Sequence, residues 1–496
     1  MEANTYIHSI HADYGIAMPL TFSLPGDVGG AKLVCKTVVR TLPGKRLVCL
    51  AAWGEQEVFA KIFLDPKDAK RHWQREQRGI QALLDNNILT PPLLYSGPAL
   101  NLLVGALRPE SNYLLVLKRI APAITLGEAW KAADVQARLG LLRAMVTVLA
   151  AHHHAGLMHT DTHFGNFLLQ NQDIFTLDGD RVEVFDAPLD RKRSLHSLGL
   201  LFGQLTSGYD GCIDEIFTGY LKLRGWSEYA ADKARLKSEI NSTRNYRKGK
   251  FIKKIFRECS AFICRKDNRQ IMVYDRTHDS ANMRRLVQDP DYFMNGTACK
   301  LIKRGNTATV GIVDIDGRTL VIKRYNIKGF WHGLKRAMRR SRAAISWRNA
   351  HLLNFYGIAT PAPIALIEKR LGPLRRVSYF ISAYVEGSNC AHYFKDNRLT
   401  GGGQEDMVKK LVTVLAKLAQ ANISHGDLKA TNIIISEGNP VLLDLDAMRQ
   451  HSTTGSFYRT FARDIRRFLK NWDTDVALQQ LFEQHLLKLL TCYRNR

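Results

Sequence analysis

The sequence lacks the features that would assign it to a secreted, membrane-spanning or zinc-stapled class. Its eight cysteines are scattered and never form a CxxC pair, which excludes a zinc ribbon and a thioredoxin-type motif. The opening residues, MEANTYIHSIHADYG, contain no basic segment followed by an apolar one, and no run of about 18 apolar residues occurs later. We expect a cytoplasmic protein with reduced thiols and no membrane-spanning helix.

Acidic residues are scarce compared with basic ones. The chain has 71 Lys and Arg against 46 Asp and Glu, which gives a formal net charge of +25. A surplus of this size favours a polyanionic partner, such as nucleic acid, an anionic membrane surface or a phosphorylated glycolipid. No nucleic-acid recognition motif accompanies the charge, so nucleic acid is not expected as a partner.

One stretch has no acidic residue at all. Between Gly317 and Ile367, cations are interleaved with aromatic residues, which is typical of a surface against anionic lipid, although a solvated basic helix has the same composition. A second basic run, residues 243–259, could face the membrane or pack between domains. The first stretch contains Arg318, Lys323, Arg324, Lys328, Lys335, Arg336, Arg339, Arg340, Arg342 and Arg348, with Phe330, Trp331 and Trp347.

An internal repeat is the main feature that is present. The 496 residues, of which 45% are hydrophobic, exceed one ordinary domain. LLRAMVTVLAAHHHAGLMHTDTHFGNFLL at 141–169 aligns without a gap on MVKKLVTVLAKLAQANISHGDLKATNIII at 407–435, and in each copy an Asp follows the matched Asn twelve residues later. The matched polar residues are His159 and His425, Asp161 and Asp427, Asn166 and Asn432, and Asp178 and Asp444.

The repeat also explains a histidine cluster that could otherwise suggest a metal site. Of His152, His153, His154, His159 and His163, only His159 has a histidine counterpart in the other copy. A zinc site needs several such ligands, but the second copy has no histidine at the other four positions. The repeat therefore does not favour a zinc site. We therefore interpret His152, His153 and His154 as the exposed end of an amphipathic helix.

Matched residues N-terminal to the aligned segments show that the repeat is longer, and we expect two similar domains at residues 25–280 and 290–496. Lys61 in FAKIF matches Lys323 in LVIKRY. In each copy, segments of period two predict a small β-rich lobe, one helix follows, and the remainder is mostly helical. The expected fold class is α+β, and the DG pair in VDIDGRTL predicts a two-residue hairpin turn.

This order of residues resembles the protein-kinase-like fold, here in two tandem copies. A strand Lys, a helix Glu, an HxDxxxxN loop and a later Asp together fit phosphoryl transfer. The resemblance implies that Lys61, oriented by Glu76, holds the α- and β-phosphates of ATP, and that Lys323 has the same role. It also implies that Asp161 and Asp427 accept the proton of the acceptor hydroxyl. The implied Mg²⁺ ligands are Asn166, Asp178, Asn432 and Asp444.

The second copy is similar to bacterial lipopolysaccharide core kinases, which phosphorylate heptose or Kdo sugars. GRTLVIKRYN, HGDLKATNIII and LLDLDAM carry that similarity, and the first copy resembles the family more loosely. The resemblance implies an ATP- and Mg²⁺-dependent enzyme that binds the core glycolipid as a peripheral protein at the cytoplasmic face of the inner membrane. The alternative is a small-molecule or protein kinase, or a partly inactive pseudokinase scaffold for core assembly.

Some motifs of the kinase pattern are missing. Neither copy has a DFG or an APE sequence. The glycine loop that covers the phosphates is unassigned, and its candidates are LPGDVGGAKL at 24–33 and KRGNTATVG at 303–311. Glycine in these segments could equally serve turn formation alone.

The two copies differ at the partner of the strand lysine. Counting back from the shared Thr-Pro pairs at Thr90 and Thr360, Glu76 falls on Ser346. The acid-free stretch offers no replacement, so Lys323 is expected to lack this ion pair. Because positioning supplies most of the catalysis in phosphoryl transfer, the second copy is expected to turn over ATP more slowly or to depend on bound substrate.

Overall fold

The computed structural model describes residues 19–22, 24, 32–42, 44–65, 67–99, 112–326, 340–372, 374–396 and 401–494. The chain divides into two compact units, Met1–Arg244 and Asn245–Arg496. Both contain helices and strands, in agreement with the expected mixture of α and β structure. No helix among the described residues is long and apolar enough to cross a membrane.

The first unit begins with a six-stranded antiparallel sheet in the order β1-β2-β3-β4-β6-β5. Alternate residues of its strands are buried, as expected for a sheet with one face on the core: Leu47, Cys49 and Ala51 of β3 are buried, and their neighbours are not. The described strands are β1 (Leu20–Phe22), β2 (Leu33–Leu42), β3 (Arg46–Trp53), β4 (Gln56–Phe63), β5 (Leu93–Pro98), β6 (Tyr113–Lys118), β7 (Ile124–Thr125), β8 (Leu157–His159), β9 (Phe167–Gln170), β10 (Asp173–Thr176) and β11 (Val182–Val184).

The C-terminal part of the first unit is mostly helical, as expected. Leu142, Met145 and Leu149 of α3 are buried at intervals of three and four residues, so one face of this helix forms the core beneath the loop that follows β8. The described helices are α1 (Ala69–Asp85), α2 (Leu126–Ala132), α3 (Val135–His154), α4 (Arg191–Phe202), α5 (Asp210–Leu223) and α6 (Ala230–Lys254), and α6 contains the division between the units.

The second unit has a seven-stranded antiparallel sheet in the order β12-β13-β17-β18-β16-β15-β14. Asp316 and Gly317 join β15 to β16 with φ of 54° and 73°, which confirms the predicted two-residue turn. The described strands are β12 (Phe262–Lys266), β13 (Gln270–Asp275), β14 (Lys300–Arg304), β15 (Ala308–Ile315), β16 (Arg318–Tyr325), β17 (Pro363–Leu371), β18 (Leu374–Ala383), β19 (Ser388–Asn389), β20 (Ile423–Ser424), β21 (Ile433–Ser436), β22 (Asn439–Leu442) and β23 (Arg449–Gln450).

The long helix that precedes the HxD loop of the second unit is buried along one face, as its counterpart in the first unit is. Val408, Leu411, Leu415 and Leu418 of α11 are buried in one core beneath the loop that follows β20. The described helices are α7 (Ala281–Gln288), α8 (Pro290–Asn295), α9 (Arg342–Phe355), α10 (Cys390–Asp396), α11 (Gly401–Gln420), α12 (Thr454–Leu469) and α13 (Val476–Arg494).

The division between the units lies N-terminal to the expected boundary at 280–290. The hairpin β12–β13 was expected in the first domain, but β13 pairs with β17 of the second unit, with Tyr274 opposite Ala365. The hairpin lies outside both repeated segments, so the repeat carried no information about it. Its pairing partner is distant in sequence, which is why local patterns could not place it.

Candidate active sites

In the first unit, the strand lysine makes the ion pair that the sequence predicts. Lys61 lies on the interior strand β4, between β3 and β6. Its Nζ donates to Oε1 of Glu76, a side chain of α1 that has no exposed surface. The same ammonium lies 3.8 Å from Oδ1 of Asp178. The geometry therefore brings Lys61, Glu76 and Asp178 together.

Arg46 is a member of this cluster that the sequence analysis missed. Its Nη1 donates to Oε2 of Glu76 at 2.7 Å and lies 3.9 Å from Asp178. A buried carboxylate needs a partner for each oxygen, and Arg46 and Lys61 supply one each. The register of β3 and β4 pairs Val48 with Lys61, so Arg46, two residues away, shares the face of Lys61. A hairpin register drawn from the sequence would have revealed it.

Charge sets the ionisation state of the first cluster. Burial alone would raise the pKa of the Asp178 carboxyl, but the positive charges of Lys61 and Arg46 lower that pKa below its usual value. Asp178 is therefore ionised at neutral pH. Its backbone φ of 64° is in the left-handed region, which is uncommon for a residue other than glycine and is often found at functional sites.

The loop after β8 is tied by hydrogen bonds to the residue before Asp178. The Nε2–H of buried His159 donates to the Leu177 carbonyl at 3.1 Å, and its Nδ1 accepts from the Asp161 amide at 3.2 Å. The Asn166 side chain donates to the Asp161 carbonyl at 2.9 Å, and the Leu177 amide donates to the Asn166 carbonyl at 2.8 Å. Burial lowers the pKa of His159, so the ring is neutral at neutral pH and can accept the amide hydrogen.

The second unit repeats three of these four bonds with its matched residues; the bond from the loop amide to the histidine Nδ1 is not repeated at His425. His425 donates to the Leu443 carbonyl at 2.9 Å, Asn432 donates to the Asp427 carbonyl at 2.9 Å, and the Leu443 amide donates to the Asn432 carbonyl at 2.8 Å. Asp444 has a φ of 56°. The same hydrogen bonds therefore bring Asp427, Asn432 and Asp444 together in the second unit.

The shared Thr-Pro landmarks are also equivalent in structure. The Thr90 hydroxyl donates to the Thr176 carbonyl at 2.9 Å, and the Thr360 hydroxyl donates to the Leu442 carbonyl at 2.8 Å. Each bond fixes the segment after the helix against the strand that leads to Asp178 in the first unit and to Asp444 in the second. These threonines support the count that matches Glu76 with Ser346.

Lys323 pairs with a different carboxylate from the one that Lys61 uses. Its Nζ donates to Oδ1 of Asp444 at 2.5 Å. Ser346 is buried on α9 and its hydroxyl bonds to Tyr325 at 2.8 Å. The matched hairpins place Ala308 at the position of Arg46. The expectation that Lys323 lacks the helix carboxylate is met, and the lysine holds the loop Asp directly instead.

Asp444 is ionised like Asp178, although its partner differs. Burial would raise the pKa of its carboxyl, but the charge of Lys323 lowers that pKa below its usual value. Asp446, two residues on, has a pKa raised by burial, and its side chain accepts from Arg342 of α9 at 2.6 Å. Asp180 of the first unit likewise accepts from Arg75 of α1. Each of these carboxylates joins a short turn to a helix that precedes it in the chain.

The two candidate general bases, Asp161 and Asp427, differ in their charged neighbours. Asp427 lies 2.6 Å from Arg467 Nη2 and 3.2 Å from Lys429 Nζ. Asp161 is exposed and has no ion pair among the residues that the structure describes. The sequence analysis missed Arg467, because it lies on α12, far along the chain from the loop.

Asp464 of α12 is a second residue that the sequence analysis missed. This buried carboxylate accepts from the His425 amide at 2.7 Å and from the Gly426 amide at 3.0 Å. It therefore fixes the backbone of the loop immediately before Asp427. Its sequence signal is weak: a lone acid on the apolar face of an amphipathic helix.

The hairpin turns that precede the lysine strands are the candidate phosphate-covering loops. In the second unit, Gly305 lies between β14 and β15, within the KRGNTATVG candidate. In the first unit, the equivalent turn joins β2 to β3 and contains Gly44, with a φ of 64°, and exposed Lys45. The other candidate, LPGDVGGAKL, lies largely outside the described residues.

The histidine cluster is structural, although not in the way that was expected. His152 and His153 are fully buried rather than exposed, so that prediction is wrong for both. His152 Nε2 bonds to the Thr176 hydroxyl at 3.0 Å, and His153 Nδ1 bonds to the Tyr220 hydroxyl at 2.8 Å. Burial lowers the pKa of His152 to about 3. A hydroxyl from another element thus satisfies one nitrogen of each buried ring, which the helical pattern could not reveal.

The expected lipid-facing stretch is described only in part. Its residues 327–339 lie outside the described residues. Trp347, expected at the interface, is fully buried, and its indole donates to the Ile255 carbonyl at 2.9 Å, so that assignment is wrong. Ile255 belongs to the basic run 243–259, whose apolar members pack into the second unit. The residues of the expected lipid-facing stretch that lie outside the described residues are Lys328, Phe330, Trp331, Lys335, Arg336 and Arg339.

Comparisons with known proteins agree with the second site. A family model described as the lipopolysaccharide kinase (Kdo/WaaP) family matches residues 296–493. No curated protein matches the sequence. Among solved structures, "WaaP in complex with acyl carrier protein" matches with 19% identity over 42% of this chain and 87% of that chain, at a TM-score of 0.31. Residues 296–493 match the lipopolysaccharide kinase (Kdo/WaaP) family model, as the sequence indicated, and the protein is an ATP-dependent phosphotransferase that acts on a sugar hydroxyl.

Proposed function

We propose that the protein phosphorylates a heptose or Kdo hydroxyl of the lipopolysaccharide inner core, as a peripheral enzyme at the cytoplasmic face of the inner membrane. One observation carries the proposal: within the family-matched segment, hydrogen bonds join the HxD loop, its Asn and the Lys-paired Asp into one cluster. Such positioning of charges is what phosphoryl transfer requires.

In the second unit, Asp427 is the general base. The acceptor hydroxyl oxygen attacks the γ-phosphorus of ATP, the bond to the β-phosphate oxygen breaks, and the hydroxyl proton passes to the Asp427 carboxylate. Lys323 provides a positive charge for the α- and β-phosphates. Since Lys323 bonds to Asp444 in the structure, nucleotide binding must exchange this partner for phosphate.

The donor set fits Mg²⁺. The Asn432 side chain donates through Nδ2 to the Asp427 carbonyl. The Oδ1 atom of Asn432 therefore stays available as a metal ligand. Asp444 is partly exposed and ionised. A carboxylate and an amide oxygen suit this hard cation, which commonly completes its shell with phosphates and water. Bound Mg²⁺ would neutralise phosphate charge; Asn166 and Asp178 form the matching pair in the first unit.

The described residues contain no cluster of three His, Cys, Asp or Glu side chains that could hold a metal alone.

We further propose that the two units are tandem kinase-like domains, each with its own nucleotide site. In the first unit, Lys61 and Glu76 bind nucleotide, and Asp161 is the general base. The support is the set of matched hydrogen bonds around His159 and His425. The alternative of a partly inactive scaffold requires one cluster to be incompetent, although both keep their Lys, Asp, Asn and Asp.

Transfer to a defined acceptor tests the proposal. Purified protein is incubated with [γ-³²P]ATP, Mg²⁺ and chemically dephosphorylated core glycolipid, and the modified sugar is identified by mass spectrometry. The proposal expects one new phosphate on heptose or Kdo. Labelling of protein or of free small sugars, with an unmodified glycolipid, would contradict it.

A further inference from the structure

Helix α12 has opposite apolar and basic faces. Its apolar residues are fully or nearly buried, and its cations are exposed and share one face because they are spaced by three, four and seven residues. We call this face, together with the residue just beyond the helix, the α12 basic face. Its residues are Arg459, Arg463, Arg466, Arg467 and Lys470.

The α12 basic face has almost no counter-charge within its own segment. Between Arg449 and Trp472 the sequence contains one acid, Asp464. That carboxylate is buried and already accepts two backbone amide hydrogens. Among the described residues, neither Arg463 nor Lys470 has a carboxylate within 4 Å; Arg463 acts on the buried Asp464 only at longer range. The face therefore presents a strong local positive charge to an external group.

The α12 basic face ends at the catalytic loop. Arg467 Nη2 lies 2.6 Å from the Asp427 carboxylate, and Lys429 Nζ lies 3.2 Å from it. At a rise of 1.5 Å per residue, the face extends roughly 16 Å from Arg459 to Lys470. A molecule that lies along it thus has one end beside the carboxylate that receives the hydroxyl proton. This position favours the acceptor itself over a separate protein partner.

The first unit shows that the fold does not require such a face. Its helix in the same place, α4, has no Lys or Arg from Ser194 to Thr206. Two of the three cations in its first turn are engaged within the unit: Arg191 pairs with Asp232 and Arg193 pairs with Asp190. The difference concerns what each unit binds rather than how each folds.

We propose that the α12 basic face binds phosphate groups of the acceptor glycolipid. The inference rests on the proposed function and extends it to the acceptor of the second unit, an acceptor that already carries phosphate. Charge-assisted hydrogen bonds from Arg to phosphate are strong and directional. A phosphate at Arg467 would also compete with Asp427 for its guanidinium, so binding of the acceptor frees the base.

The test uses the full chain with Asp161→Ala, so that transfer reports the second unit. Arg463→Glu/Arg466→Glu is compared with Arg265→Glu/Lys266→Glu, which reverses two exposed cations of β12. Acceptors are core glycolipid that retains its lipid A phosphates and the same glycolipid after complete dephosphorylation. Steady-state KM and kcat are measured for both, and thermal unfolding midpoints verify that both variants fold.

We expect the KM for the phosphate-bearing acceptor to rise about tenfold in the α12 variant and less than about twofold in the β12 control. On the dephosphorylated acceptor the two variants should agree. Equal KM values on the phosphate-bearing acceptor would overturn the inference, as would a defect confined to binding an acidic protein. If Arg463→Glu/Arg466→Glu does not fold, Arg463→Gln/Arg466→Gln replaces it, with an expected increase of about threefold. Failure of the parent to phosphorylate either glycolipid would instead refute the proposed function.

Discussion

At the scale of single residues, the strand lysine of each unit is paired with a different carboxylate. In the first unit, buried Glu76 binds both Lys61 and Arg46. In the second unit, small residues, Ser346 and Ala308, occupy the places of Glu76 and Arg46. The loss of the acid together with one of its cations avoids an unpaired buried charge.

The partner of the lysine predicts unequal turnover. Glu76 positions Lys61 without using Asp178, whereas Lys323 must leave Asp444 before it can contact phosphate. We expect Lys61→Ala to lower total ATP turnover more than Lys323→Ala, with ATP and acceptor both saturating. A larger loss from Lys323→Ala would show that the second unit is the principal kinase and that the missing Glu has no kinetic cost.

The buried histidine predicts acid sensitivity. The pKa of His152 falls from 6.5 to about 3 on burial, so below pH ~6.5 the unfolded chain binds a proton that the folded chain does not. Stability that is present above pH ~6.5 is lost as the pH falls towards 3, by about 1.4 kcal/mol per pH unit. In urea titrations at pH 7.5 and 5.5, His152→Gln should lower this dependence. Exposed His154→Gln should leave it unchanged, and equal slopes for parent and His152→Gln would contradict the assignment.

At the scale of elements, local patterns predicted what local interactions determine. The DG turn, helix α1 and the HxD loops depend on neighbours in sequence, and the structure has them where they were expected. Arg46, Asp464 and Arg467 act on residues far away in the chain, so no spacing rule could find them. The buried state of His152 depends in the same way on Thr176, a residue of another strand.

Close packing of helix α1 against the loop that contains Asp178 leaves no room for a larger residue at Gly79. A Cβ on Gly79 would lie 2.0 Å from the Gly179 carbonyl oxygen, so backbone must move. In the second unit, Asn349 bonds to the Leu445 carbonyl at the matching place. Gly79→Ala should destabilise the protein by at least ~2 kcal/mol and lower ATP turnover because it displaces Asp178.

Gly140→Ala in α3 is the matched control. Its Cβ meets no atom within 4 Å, so it should stabilise the helix by about 0.5–1 kcal/mol. Both free energies of unfolding come from urea titration. A Gly79→Ala protein as stable as the Gly140→Ala protein would show that the loop is not closely packed against α1.

At the scale of the whole molecule, the repeat predicted two clusters, and the structure brings the matched residues together in each. The repeat could not give the division between Arg244 and Asn245, because the intervening hairpin pairs only with the later sheet. The units also differ in charge beside the proposed base, because Arg467 and Lys429 lie near Asp427 in the second unit. We propose on this basis that the protein is one enzyme with two kinase-like sites of unequal design.

The most direct measurement of this account is phosphate transfer to dephosphorylated core glycolipid by the parent, Asp161→Ala, Asp427→Ala and the double variant. Each Asp is the carboxylate of its HxD loop, so each single variant should lose the transfer of its own unit with the fold intact, as verified by circular dichroism. The double variant should fall by about 10²–10⁴-fold, the usual contribution of a general base. Transfer by the double variant at the parent rate would contradict the assignment of both sites.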